Sequence, residues 1–207
     1  MLKNRNEAGK LLAKTLVKYK DDRVVVLALP RGGVVLGYEV AKALKSPLDV
    51  IVTRKIGHPN NPEYAICAVD EKGSLLCNEL EAKSVDPDWL QGEIERQQKE
   101  AKRRIALYRG KRKPAEIENR VIIIVDDGIA TGLTIRLAVC SVKKQNSKKI
   151  IVAVPVTPAE SISELKKEGA DEIIVLEPPE NFMGAVGAHY LQFEQVEDSE
   201  VINLLQK

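Results

Sequence analysis

Residues 121–134 read VIIIVDDGIATGLT. Five aliphatics, Val121 to Val125, run without interruption into two adjacent carboxylates, Asp126 and Asp127, and then into a loop of small residues. An unbroken β-branched run suits a strand covered on both faces, as in a parallel sheet. From Leu133 to Lys144 the apolar residues fall at helical spacing, so the segment reads as strand, loop, helix. Ligands of α/β sheets bind beyond the carboxyl ends of strands, which is where the acidic pair lies. Gly128, Ile129, Ala130, Thr131 and Gly132 bring backbone amides to a helix N-terminus, where unpaired donors and the macrodipole favour a phosphate. Thr131 and Thr134 add hydroxyl donors, and Asp126 and Asp127 are acceptors of the kind that hold vicinal ribose hydroxyls. These residues point to a phosphosugar site; the plainer reading is an acidic turn without a ligand.

Outward from this stretch, strands alternate with helices. Arg23 to Leu29 is a β-branched run closed by Pro30, Arg31, Gly32 and Gly33, with a helical pattern over Val34 to Leu44. Leu48 to Thr53, Lys149 to Pro155 and Ile173 to Leu176 read as further strands, and residues 5–18 as an amphipathic helix. Thr157 to Glu160 reads as a capping box with proline at the first helical position, and Gly169 as the residue past that helix. Such alternation predicts βαβ units and an α/β fold with a parallel sheet. Residues 58 to about 113 break it, as an insertion. Tyr64–Val69 and Ser74–Cys77 suit a hairpin, and Asp86 and Pro87 start a long helix that ends near Gly110.

The length of 207 residues suits one domain over 1–207, and 44% hydrophobic with 30% charged residues is the balance of a soluble globular chain. No apolar run is long enough for a membrane span, and the start of the chain shows no secretory h-region. Three cysteines without CxxC spacing argue against a disulfide framework or a zinc site and fit a reducing cytoplasm. His58 and His189 stand alone, without metal-ligand spacing, and read as packing residues.

The segment from Asp126 to Thr134 resembles the phosphoribosyl diphosphate (PRPP) motif of the type I phosphoribosyltransferases. Across most of the chain the sequence is similar to an uncharacterised bacterial group of that family, in which an RNEAG-like start (Arg5 to Gly9), PRGG, VDDGIATG and a late aromatic segment recur together. The resemblance implies a type I phosphoribosyltransferase fold, with a hairpin-plus-helix insertion and a small C-terminal hood over residues 178–197. It implies Mg²⁺-dependent transfer of phosphoribose from PRPP to a nucleobase-like acceptor with release of pyrophosphate, by a homodimer.

Position by position, Asp126 and Asp127 would hold the ribose hydroxyls and, through ribose or water, Mg²⁺. Gly128, Ile129, Ala130, Thr131, Gly132, Leu133 and Thr134 would cradle the 5′-phosphate. Arg31, Gly32 and Gly33 are similar to the family's pyrophosphate loop. Arg54 and Lys55, read as a strand end on the same edge, would balance the departing pyrophosphate, with Gly57 to Glu63 as a mobile lid. Phe182, Met183, Tyr190 and Phe193 concentrate the scarce aromatics in the hood region. Hypoxanthine-type relatives carry an acid where Ala130 stands, so the acceptor stays undetermined. Two other readings remain. Residues 96–113 hold nine Lys or Arg against Glu100, which suits a nucleic-acid face on a PRPP-binding regulator but more often marks a solvated helix. Paired acids at a strand end also suit a phospho-acceptor domain, which leaves the TGLT loop unexplained.

Overall fold

The computed structural model describes residues 1–207. The chain opens with α1 (Arg5–Leu16), then β1 (Val24–Ala28), α2 (Gly32–Leu44) and β2 (Leu48–Val50). A second layer follows, made of β3 (Thr53–His58), β4 (Asn61–Asp70), β5 (Leu75–Cys77), α3 (Glu79–Lys83) and α4 (Pro87–Arg109). The alternation resumes with β6 (Val121–Val125), α5 (Leu133–Lys143), β7 (Lys149–Val154), α6 (Ala159–Glu168) and β8 (Glu172–Val175), and ends in α7 (Asp198–Gln206). Five strands form a parallel sheet in the order β2-β1-β6-β7-β8, and β3, β4 and β5 form a separate antiparallel sheet.

Strand β6 shows why the aliphatic run folds as it does. All five of its residues are buried. Val121, Ile123 and Val125 pack on one face with residues of α1, α2 and α7, while Ile122 and Ile124 pack on the other with residues of α5. The period-2 alternation of side chains thus feeds two cores from one strand. Helices α1 and α2 meet so closely that a Cβ on Gly9 would lie 2.9 Å from the Leu36 Cα.

Three expectations are corrected here. The insertion begins at Thr53, because the chain leaves the parallel sheet after Val50 and re-enters antiparallel pairing, Thr53 against Asp70. Gly57 to Glu63 is therefore the tip of a hairpin, with Gly57 and His58 in β3 and Asn61 to Glu63 in β4. No capping box forms on α6: its N-cap is Pro158, and the Thr157 hydroxyl donates to the Pro158 carbonyl. Nor are the cysteines all free. The β4–β5 register sets Cys67 opposite Cys77, and the two are bonded, leaving Cys140 as the free thiol. Such bridges are uncommon in a reducing cytoplasm, so this one weighs against the compartment suggested by the cysteine count.

The long helix starts as expected, with Asp86 Oδ1 accepting from the Trp89 amide at 2.8 Å and proline in its first turn. No helix is long and apolar enough to cross a membrane. At the far edge of the sheet, Glu172 on β8 accepts from Lys149 (2.8 Å), Lys18 (2.7 Å) and the Tyr19 hydroxyl. These bonds, that from Lys149 first, pull its carboxyl from the ordinary 4.5 down to about 2. A depressed carboxylate stabilises the fold above its unfolded pKa and loses that contribution as pH falls through the folded value. Glu172→Gln is accordingly expected to cost about 0.5–1 kcal/mol at pH 7, modest because the cluster is solvent-screened. The difference from the parent protein should shrink between pH 4.5 and about 2 in urea titrations.

Candidate active site

The order of the parallel sheet reverses between β1 and β6, and the crevice at such a switch point is where open α/β sheets take ligands. Two loops leave the sheet there, Pro30 to Gly33 after β1 and Asp126 to Thr134 after β6. They are stitched together by the Leu29 amide, which donates to the Val125 carbonyl at 2.9 Å. The Pro30–Arg31 peptide is cis. A Cβ on Gly33 would lie 2.7 Å from the Val125 oxygen and 2.9 Å from the Asp126 Cα, both backbone atoms that cannot swing aside. Gly33→Ala is therefore expected to lower stability by about 1–3 kcal/mol. An unchanged denaturation midpoint would mean the loops are not in contact.

The acidic pair is anchored on one side and open on the other. Asp126 Oδ1 accepts from the Asp127 amide at 2.8 Å, and Asp127 Oδ2 accepts from Arg5 Nε at 2.7 Å. No N–H or hydroxyl of the protein donates to Asp126 Oδ2 or Asp127 Oδ1, which leaves two acceptors on neighbouring side chains, close enough that the two carboxyls act on each other. Burial, and next the charge of Asp127, hold the Asp126 carboxyl well above the usual carboxylate range. Burial raises Asp127 as well, against the opposing pull of Arg5.

Beyond the pair, the Ile129 amide ties the loop to Val156 at 2.9 Å, and Gly132 turns it into α5 with φ +79°. That left-handed conformation suits glycine. The amides of Ala130, Thr131, Gly132, Leu133 and Thr134 donate to nothing in the protein. Ala130, Thr131, Gly132 and Thr134 line a cavity of about 180 Å³ whose wall also includes Asp126, Gly128 and Val186 of the hood. Unpaired amides at a helix N-terminus are an anion site ready in place.

The remaining expected residues divide. Gly32 lies against Asp127, where a Cβ would fall 1.9 Å from Oδ2. Arg31 is half-buried beside α7, its guanidinium 3.8 Å from Asp198 and 3.9 Å from Glu197. Arg54 and Lys55 do not end a strand of the parallel sheet; both lie within β3. Arg54 donates to Gln97 of α4 at 3.0 Å, and burial lowers its pKa. Burial, and next its hydrogen bond to Asp198, push the Tyr108 hydroxyl up to about 12. Lys55 is paired with Glu63 at 2.7 Å on the hairpin, apart from this group.

In the hood, the Tyr190 hydroxyl donates to the Asp127 carbonyl at 2.7 Å, and Tyr190 packs on Phe193 with centroids 4.9 Å apart. Phe182 stacks on His189, while Met183 is exposed. His189 is 1% exposed; it meets Glu177 through Nδ1 at 2.6 Å and accepts from the Met183 amide through Nε2 at 3.0 Å, so it is a satisfied core residue. The arginines of the basic helix are paired, Arg96 with Glu93, Arg103 and Arg104 with Glu100, and Arg109 with Asp49, while Lys99, Lys102, Lys111 and Lys113 have no carboxylate partner, so the stretch keeps a net positive charge. Sequence reasoning missed Arg5 as part of the site. Its signal was membership of the RNEAG segment, whose Gly9 is explained by packing and whose arginine is explained by Asp127.

Residues 2–192 match the phosphoribosyl transferase domain. The chain belongs to that family. Its parallel sheet and flanking helices are those of a type I phosphoribosyltransferase. It is 38% identical over 212 residues to a Mycobacterium tuberculosis (strain H37Rv) protein named "Putative phosphoribosyl transferase Rv0571c", covering 99% of this chain and 46% of that one. The chain thus spans about half the length of this curated relative. It is also 40% identical to TT1426 from Thermus thermophilus, whose crystal structure superposes with a TM-score of 0.81 over 99% of this chain and 97% of that one.

Proposed function

We propose that this phosphoribosyltransferase takes PRPP at the crevice between β1 and β6 and transfers its phosphoribosyl group to a nucleobase-like acceptor, releasing pyrophosphate. One observation carries the reading: five unpaired amides, from Ala130 to Thr134, stand next to two carboxylates that each keep one oxygen free. A 5′-phosphate on the amides leaves the ribose beside the carboxylates, so Asp126 Oδ2 and Asp127 Oδ1 accept from its vicinal hydroxyls. Cleavage at C1 builds positive charge on the sugar, as in glycosidic cleavage, and needs no protein nucleophile. Position and charge do the work. The two aspartates orient and stabilise the cationic ribose, while Arg31 and Arg54 are the cations assigned to the leaving pyrophosphate. Lys55, paired with Glu63, is left out of that role.

The half-buried acidic pair has one cation against two carboxylates, a donor set that fits a hard dication. Asp126 and Asp127 would hold Mg²⁺ indirectly, through ribose or water, and the ion would neutralise pyrophosphate oxygens when bound. By the same family resemblance, we propose a homodimer; a single monomeric species in sedimentation would contradict it.

Incubation with PRPP, Mg²⁺ and a panel of purines and pyrimidines tests the reaction. Release of pyrophosphate that depends on one of the bases is expected; release at the same rate without any base would contradict transfer. The regulator reading differs in its readout: nucleic-acid affinity through residues 96–113 whose logarithm falls steeply with the logarithm of salt concentration, with no base-dependent release of pyrophosphate, would favour it.

A further inference from the structure

Arg5 is the first residue of α1, yet its guanidinium is spent on two other segments, the loop after β6 and the hood. Nε donates to Asp127 Oδ2 at 2.7 Å, Nη1 donates to the Glu194 carbonyl at 2.5 Å, and Cζ lies 3.8 Å over the Phe193 ring. Its side chain is only 12% exposed, and a Cβ on Gly32 would fall 2.8 Å from its Nε. An arginine used only for solubility does not give up its hydration on four sides. Helix α1 is itself held rigidly on α2 by the Gly9–Leu36 approach, so the guanidinium starts from a fixed base.

Without a partner, the Asp127 carboxylate could rotate about χ2 and present either oxygen to a ligand. With Oδ2 held by Arg5, the carboxylate plane is set and Oδ1 is the oxygen left over. The same guanidinium bonds the hood at Glu194 and stacks on Phe193, and Phe193 packs on Tyr190, whose hydroxyl returns to the Asp127 carbonyl. The contacts close a ring: Asp127, Arg5, Phe193, Tyr190, Asp127.

We propose that Arg5 is a positioning residue: it orients the Asp127 carboxylate toward the ribose hydroxyls and fixes the hood against the acidic pair. The proposal rests on the PRPP reading above and adds to it a residue that touches neither phosphate nor pyrophosphate. Arg5 acts on the ribose half of the ligand and not on the phosphate half, because the amides of Ala130 to Thr134 are built from backbone outside the ring.

The test compares two probes, ribose 5-phosphate and inorganic phosphate, by calorimetry on the whole chain. Arg5→Met keeps the stem and the packing on Phe193 but removes the donors. It is expected to weaken ribose 5-phosphate roughly tenfold, the loss typical of one charge-assisted hydrogen bond, and to leave phosphate unchanged. Arg5→Lys, which keeps the charge, should recover part of the loss. In an Asp127→Asn background, Arg5→Met should have no further effect on the sugar phosphate. Equal weakening of both probes, no weakening, or tighter sugar-phosphate binding would each overturn the positioning role, the last by showing that Arg5 merely blocks the site. Failure of the unsubstituted protein to bind ribose 5-phosphate at all would instead overturn the PRPP reading, and the role of Arg5 with it. A variant too unstable to titrate is replaced by Arg5→Gln, judged by the same criterion.

Discussion

Replacing Asp126 and Asp127 together by asparagine is expected to leave the fold intact and to abolish stabilisation by PRPP in Mg²⁺. The unliganded protein should change little, for two opposing reasons. The substitution relieves a half-buried pair of like charges, each raised by burial and Asp126 further by its neighbour. It also takes the ion-pair partner from Arg5. These effects partly cancel, leaving a net change within about 1 kcal/mol. The ligand effect is larger. At a PRPP concentration about one hundred times its Kd, binding adds about 2.7 kcal/mol to the parent protein. For a chain of this size that is a midpoint rise of roughly 5–10 °C. The double variant should show none of it, while a rise of the parent's size would place the sugar elsewhere.

A comparably large effect is expected far from the ligand. Asp49 on β2 is 4% exposed and gathers four donors: Arg109 Nε (3.3 Å) and Nη2 (3.1 Å), the Ala115 amide (2.9 Å) and the Val50 amide (2.8 Å). It therefore clamps the end of α4 and the chain that follows it to the edge of the parallel sheet. Asp49→Ala removes the carboxylate, takes the acceptor from two amides and the ion-pair partner from the half-buried Arg109 guanidinium, and leaves that guanidinium only the Val50 carbonyl. Breaking one side of a buried pair costs about 3–5 kcal/mol, and the partial exposure of Arg109 favours the lower end. The thermal midpoint should fall by roughly 6–12 °C. A fall under about 2 °C would show that the insertion is held by its apolar contacts alone.

The parallel sheet was legible because each strand is an aliphatic run with a visible stop: Pro30 after β1, Asp126 after β6, Pro155 after β7. The same signal failed at Ile51 to Ile56, where IVTRKI continues without a breaker and the chain changes sheets inside an apolar stretch. Arg54 and Lys55 were misplaced for that reason. Gly57 and Pro59 to Pro62 carry turn chemistry, so a hairpin tip looked like a loop. The Cys67–Cys77 pair was within reach, since the hairpin expected over Tyr64–Val69 and Ser74–Cys77 brings those positions opposite each other. Counting cysteines instead of following the register hid it. Arg5 could not be found from local pattern at all, because its partner lies 122 residues away. The loop proposed to take PRPP could be read as a unit because its features are local: contiguous amides, two hydroxyls and two carboxylates within nine residues, 126–134.

The positions of the phosphate and the sugar decide the site, and a crystal structure of the protein soaked with PRPP and Mg²⁺ measures them directly. The expected map shows the 5′-phosphate within hydrogen-bonding distance of the amides from Ala130 to Thr134, with the two ribose hydroxyls on Asp126 Oδ2 and Asp127 Oδ1. Density for PRPP at any other site, with that loop empty and both aspartate oxygens still free, would contradict it.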